Sequence, residues 1–173
     1  MMRKLVSTFF ALPPRVVIGV FAAGSLALVG MAFVLEYGFG ALPCHMCWLQ
    51  RYGHWAMAGI ATVSFVLPRL VPPLWGLAGT LAAAGYGLYV AVYQILVQNK
   101  ILPLPEGCAS AGLKIEANVQ DFLAALQHPV VAPSCDRVDF TLLGFSLAEW
   151  NTITMLGVLV VGGVFLCRWY KNK

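Results

Sequence analysis

Five cysteines are the side chains best suited to chemistry in this chain, and four of them fall into two pairs of different character. Cys44-His45-Met46-Cys47 is tight and stands where an apolar run begins, whereas Cys108 and Cys135 are widely spaced within one long polar segment. Thiols at a water–lipid boundary can exchange electrons with a soluble protein on one side and a lipid-soluble carrier on the other. A disulfide that only braces a core needs neither the tight spacing nor the membrane edge. The thiolate is the nucleophile in exchange, and a helix start favours it through free N–H groups and the helix dipole. Pro43 suits the approach to a helix start. Cys44–Cys47 are therefore expected at or just before an N-terminus, with Cys47 deeper and better placed to be the thiolate.

Taken alone, the tight pair leaves redox chemistry, a static disulfide and a metal site open. A thioredoxin-like centre requires a βαβ context that is missing, and c-type haem attachment requires His directly after the second Cys, where Trp48 stands. Structural zinc usually takes closely spaced ligand pairs, which Cys108 and Cys135 are not, so no metal is expected. Arg51 follows Cys47 by four residues and shares its helix face. A guanidinium there could stabilise a thiolate or a negatively charged reduced carrier; the plain alternative is an arginine snorkelling to headgroups. His45 and His54 flank the pair, and an interface histidine is more often hydrated or packed. Cys167, at the far end of the last apolar run, reads as packing.

The elements that position these residues follow from composition. At 173 residues, 60% hydrophobic and 10% charged, the chain is too apolar for a soluble domain. A spanning helix needs roughly 20 mostly apolar residues. Four stretches qualify, at about 16–35, 48–67, 74–97 and 147–166, with outer loops at about 36–47 and 98–146. Backbone groups in lipid must be satisfied within the segment, so the expectation is an all-α membrane protein, one four-transmembrane-helix bundle over residues 1–173. The first run exceeds a usual signal sequence, and no small-x-small cleavage site precedes Glu36-Tyr37, so it is expected to be retained.

Orientation follows from basic residues in short loops. Arg3, Lys4, Arg15, Arg69, Arg168, Lys171 and Lys173 fall on one face, and all seven acids, from Glu36 to Glu149, on the other. Both termini are thus expected in the cytoplasm and the four paired cysteines outside, which in a bacterium is the oxidising periplasm. The net charge of +4 reflects this distribution and gives no reason to propose nucleic acid. The third run is rich in small residues such as Gly76, Gly79 and Gly87, which let helices approach closely in lipid. Within the long outer loop, Ile115, Val119, Phe122, Leu123 and Leu126 recur at helical spacing against a polar face. That pattern predicts a short amphipathic helix lying in the interface plane.

Four spans, Cys-x-x-Cys at the outer start of the second, Arg51 in Cys47-Trp48-Leu49-Gln50-Arg51, and a second Cys pair in the outer loop together resemble the disulfide bond formation protein B (DsbB) family. Cys135-Asp136 and Leu147-Ala148-Glu149-Trp150-Asn151 resemble it too, and the likeness covers nearly the whole chain. The resemblance implies a membrane thiol oxidase that reoxidises a periplasmic, DsbA-like thioredoxin-fold partner and passes the electrons to ubiquinone or menaquinone in the bilayer. Cys44–Cys47 would be the quinone-proximal disulfide, with Cys47 facing the quinone and Arg51 assisting. Cys108–Cys135 would be the loop disulfide that oxidises the partner, through Cys108. Gln94 stands where some members carry a quinone-contacting histidine; it can still donate a hydrogen bond to a carbonyl but cannot become cationic.

Two other classes compete. A reducing conduit or a vitamin K epoxide reductase-like protein shares span count and paired cysteines, but carries its Cys-x-x-Cys late in the chain. A transporter usually needs ionisable groups within its spans, and here every charge lies at an end.

Overall fold

The computed structural model describes residues 12–106, 108, 133–138 and 140–171. Four long helices carry the fold: α1 (Pro14–Phe39), α2 (His45–Val66), α3 (Pro73–Gln98) and α4 (Leu147–Lys171). A two-stranded hairpin, β1 (Thr141–Leu142) and β2 (Phe145–Ser146), leads into α4. The expected amphipathic helix around 115–126 lies outside the described residues.

The boundaries have local causes. Pro14 and Pro73 sit in the first turns of α1 and α3, where their missing N–H costs nothing. Gly40, at φ 69°, ends α1 in the left-handed conformation that a side chain disfavours. Cys44 is itself the N-cap of α2, its sulfur accepting from the Cys47 backbone N–H at 3.3 Å. Ser146 and Glu149 form a reciprocal capping box at the start of α4, the Ser146 N–H donating to Glu149 at 2.6 Å and the Glu149 N–H to Ser146 Oγ at 3.2 Å.

Consecutive helices run in opposite directions. Val17 and Ile18 from the start of α1, Ala61 from the end of α2, Leu77 from the start of α3 and Phe165 from the end of α4 meet in one buried cluster. Met57, Ala84 and Met155 fill the middle. At the other end Cys44, Met46 and Val90 pack with Cys108 and Cys135. Helix α2 lies against α1 and α3, and α3 lies against α4. The α2–α3 crossing is close: a Cβ on Gly53 would stand 3.2 Å from the Gly87 Cα.

Three helices, α1, α3 and α4, are long and apolar enough to cross a membrane, and the chain is a multi-pass membrane protein. Large apolar side chains face outward from the bundle, among them Val20, Met31 and Val34 on α1 and Ile153, Leu156 and Val160 on α4. Helix α2 differs: it buries Gln50, Arg51, His54 and Ser64 among its partners.

Candidate active site

Cys44 and Cys47 lie where the sequence places them, across the first turn of α2. Their sulfurs are in contact at 2.8 Å as a dithiol. Of the two, Cys47 is the one whose surroundings favour the thiolate. The hydrogen bond from Cys44 pulls its thiol down to about 6, and the Gln94 amide and Arg51 act in the same direction. The same sulfur–sulfur bond, with burial, pushes the Cys44 thiol up. An asymmetric pair of this kind has one sulfur ready to attack and one held in reserve.

The loop pair is joined, Cys108 to Cys135, with Cα atoms 5.2 Å apart. A long polar loop suggests an exposed disulfide, yet both cysteines are buried against the Cys44 end of α2 and Val90 of α3. The docking is built from short-range contacts. The Cys135 N–H donates to the Cys108 carbonyl at 3.1 Å, and Ser134 Oγ donates to the same carbonyl at 3.3 Å. Asp136 accepts from Ser134 Oγ and forms an ion pair with Lys100, which stands just past α3 at φ 58°. These two donors hold the half-buried Asp136 carboxyl below its usual range, Lys100 contributing most.

Arg51 is buried within the bundle and paired. It is 7% exposed, its Nη1 donates to Glu36 of α1 at 2.5 Å, and its Nη2 donates to the Ala32 carbonyl at 3.3 Å. Its guanidinium also lies over the rings of Phe33 and Trp48, at 4.9 and 4.8 Å from their centroids. Gln94 reaches the dithiol directly, its Nε2 lying 3.4 Å from Cys44 Sγ and 3.8 Å from Cys47 Sγ.

Behind Gln94 runs a buried polar chain. Gln50 Nε2 donates to Gln94 Oε1 at 2.6 Å, and Asn151 Nδ2 of α4 donates to Gln50 Oε1 at 2.8 Å. Asn151 Oδ1 meets His54 Nε2 at 2.8 Å. Gln50 and Asn151 lie inside the two stretches Cys47–Arg51 and Leu147–Asn151 that carry the family resemblance, which assigns them no role; their signal is a carboxamide within an apolar run, where polar side chains turn toward neighbouring helices. His45 is exposed and takes no part. Cys167 is exposed at the opposite end, beside Trp75 and Tyr170, rather than packed.

Two cavities meet at the dithiol. One, of about 340 Å³, is lined by Cys44, Cys47, Gln94 and, from the docked loop, Ser134 and Arg137. The other, of about 270 Å³, lies between α1, α2 and α4 and is lined by Met31, Cys47, Arg51, His54, Trp150 and Asn151. Cys47 and Arg51 belong to both walls.

The fold and site define a class: a helical membrane protein that holds a dithiol and a second disulfide side by side at one end of its bundle. The family described as Disulfide bond formation protein DsbB matches residues 14–165, and the chain belongs to it. Among similar curated proteins named Disulfide bond formation protein B, one from a Polaromonas species is 27% identical over 96% of this chain and 98% of its own length. Another, from Albidiferax ferrireducens, is 33% identical over 82% of each. A third, from Verminephrobacter eiseniae, is 30% identical over 86% of this chain and 84% of its own. The chain is thus a disulfide oxidoreductase of the membrane.

Proposed function

We propose that this protein reoxidises a periplasmic, DsbA-like thioredoxin-fold partner and delivers the electrons to a membrane quinone, ubiquinone or menaquinone. The observation that carries the reading is that both cysteine pairs pack in one cluster while Cys47 also walls a second, mostly apolar cavity. Electrons can therefore enter from the loop side and leave on the lipid side through one sulfur. In the first exchange the partner's thiolate attacks Cys108, breaks the Cys108–Cys135 bond and leaves as a disulfide after its second thiol resolves the mixed species. The reduced loop pair then passes two electrons to the Cys44–Cys47 disulfide. The Cys44–Cys47 dithiol closes its S–S bond again as two electrons and two protons pass to the quinone, which becomes hydroquinone.

The residues around this second cavity suit that acceptor. Apolar walls accommodate a flat ring and its tail, while the Arg51 guanidinium is a polar group able to meet a ring oxygen. In this reading α2 spans the bilayer with the other three helices. Both termini are cytoplasmic, the cysteine end is periplasmic and the membrane is the bacterial inner membrane, as the distribution of basic residues suggests. Family membership favours this direction over the reducing-conduit and vitamin K epoxide reductase-like alternatives.

Reduced partner, purified protein and quinone are mixed, and partner thiols and quinone absorbance are followed together. Equal loss of partner dithiol and quinone is expected. Partner oxidation without quinone consumption would overturn the acceptor, and no partner oxidation would overturn the reading as a whole.

A further inference from the structure

The four polar side chains behind the dithiol all donate in one direction. Asn151 gives its Nδ2 hydrogen to Gln50, so its oxygen must accept from His54 Nε2. Gln50 gives its hydrogen to Gln94, and Gln94 gives its own to the two sulfurs. A carboxamide has one oxygen and one NH2, so reversing any member reverses all of them. The reversed chain would aim the Gln94 oxygen at the sulfurs and move the His54 proton to Nδ1. That atom is buried with no hydrogen-bond partner. As observed it buries only a lone pair; reversed, it would bury an unpaired N–H, the rarer and costlier arrangement.

We infer that His54, Asn151 and Gln50 are positioning residues for the dithiol: together they fix the Gln94 amide as a donor to the Cys44–Cys47 sulfurs and so favour the thiolate that reacts. The arrangement draws on three helices, with His54 and Gln50 on α2, Asn151 on α4 and Gln94 on α3. A chain of aligned donors in a low-dielectric interior strengthens its last bond. No other amide donates to these sulfurs from a side chain among the described residues. The consequence for turnover rests on the thiol-oxidase reading, but the effect on the thiol does not.

The test reads the thiol itself. The full-length protein is reduced, and alkylation of Cys47 is followed by mass spectrometry across pH. Groups that also face this thiol are Cys44 on its own helix, Arg51 with Glu36 from α1, Tyr93 on α3 and Arg137 from the loop; all are left unchanged. In His54→Leu and Asn151→Leu the alkylation midpoint should rise by about half a pH unit or more, the size of one weakened hydrogen bond. His54→Gln keeps an N–H donor near the position of Nε2 and should retain the wild-type midpoint. A purely structural role would lower thermal stability in the Leu variants without moving the midpoint. Should Asn151→Leu fail to fold, the His54→Leu and His54→Gln pair carries the comparison.

An unchanged midpoint in the folded Leu variants, or an equal shift in His54→Gln and His54→Leu, would overturn the relay. Quinone reduction by the wild type is measured in parallel. Its absence would remove the proposed acceptor while leaving the midpoint result standing, and normal quinone turnover with unmoved midpoints would remove the relay alone.

Discussion

Glu36 of α1 holds Arg51 of α2 in a buried ion pair, Nη1 to carboxylate at 2.5 Å, with side chains 12% and 9% exposed. The guanidinium that shares a helix face with Cys47 is therefore already partly neutralised, and its remaining contacts are planar ones. Two aromatic rings and a carbonyl flank it at the boundary between the two cavities. Geometry, more than net charge, is what Arg51 supplies.

Arg51→Lys should accordingly impair the quinone step even though the charge is kept. A lysine cannot reproduce the fork or the stacking. Apparent quinone KM is expected to rise about tenfold, equivalent to ~1.4 kcal/mol, with the partner KM within about twofold of wild type. Glu36→Gln leaves a buried cation without its anion and should destabilise the bundle by roughly 3–5 kcal/mol, read by thermal unfolding in detergent. An Arg51→Lys enzyme with wild-type quinone dependence would exclude the assignment.

Replacing Cys135 by Ser should trap the early exchange. Cys108 then has no internal thiol to displace the partner, so a covalent complex through Cys108 accumulates while Cys44–Cys47 still oxidises with quinone. Non-reducing electrophoresis with peptide mapping checks it. A complex running through Cys44 or Cys47 would reverse the proposed order. Cys167→Ala, at the opposite end of the bundle, should retain full turnover.

The loop clasp predicts a response to acid. Asp136 titrates below its ordinary value because of Lys100 and Ser134. Its contribution is complete above the ordinary carboxylate value near 4 and fades as pH falls through the lowered folded value. The lysine partner is exposed, so the effect is small at neutral pH and screened by salt. Lys100→Ala should speed reduction of Cys108–Cys135 by a water-soluble phosphine at pH 7, and the difference from wild type should shrink as pH approaches 3. Equal reduction rates in both proteins at pH 7 would show that the clasp does not hold the loop.

Gly53→Leu should separate α2 from α3. Its Cβ would press on the Gly87 backbone, which cannot move aside like a side-chain tip. Overpacking of this kind costs about 1–3 kcal/mol and would pull Gln50 away from Gln94. Thermal unfolding and Cys47 alkylation should both change. Gly59→Ala, which meets open space, should change neither.

Apolar run length made the helices legible in the sequence, and their ends fall within a few residues of the expected spans because proline and glycine mark them locally. The Cys44–Cys47 placement was legible for the same reason. Other features depend on contacts that no local pattern encodes. Glu36 looks like an outer-loop charge until α1 is seen to continue to Phe39, which puts it on a helix facing Arg51. Gln50 finds Gln94 and Asn151 across 44 and 101 residues of chain. The buried loop disulfide is equally non-local, since its cover comes from α2 and α3. Ser146-x-x-Glu149 has the spacing of a capping box before an apolar run, a local signal absent from the sequence-based expectations and supplied by the structure.

Helix α2 buries more polar side chains than its neighbours among the described residues, and Gln50, Arg51 and His54 each have a partner on α1, α3 or α4. During biosynthesis that segment leaves the insertion machinery before α3 and α4 exist, when most of those partners are missing. Its polar groups then gain little from lipid, so its stable seating must await the later helices. Redox competence would therefore arise only at the last stage of assembly, and a truncated or misassembled chain would present cysteines without the polar surroundings that activate them.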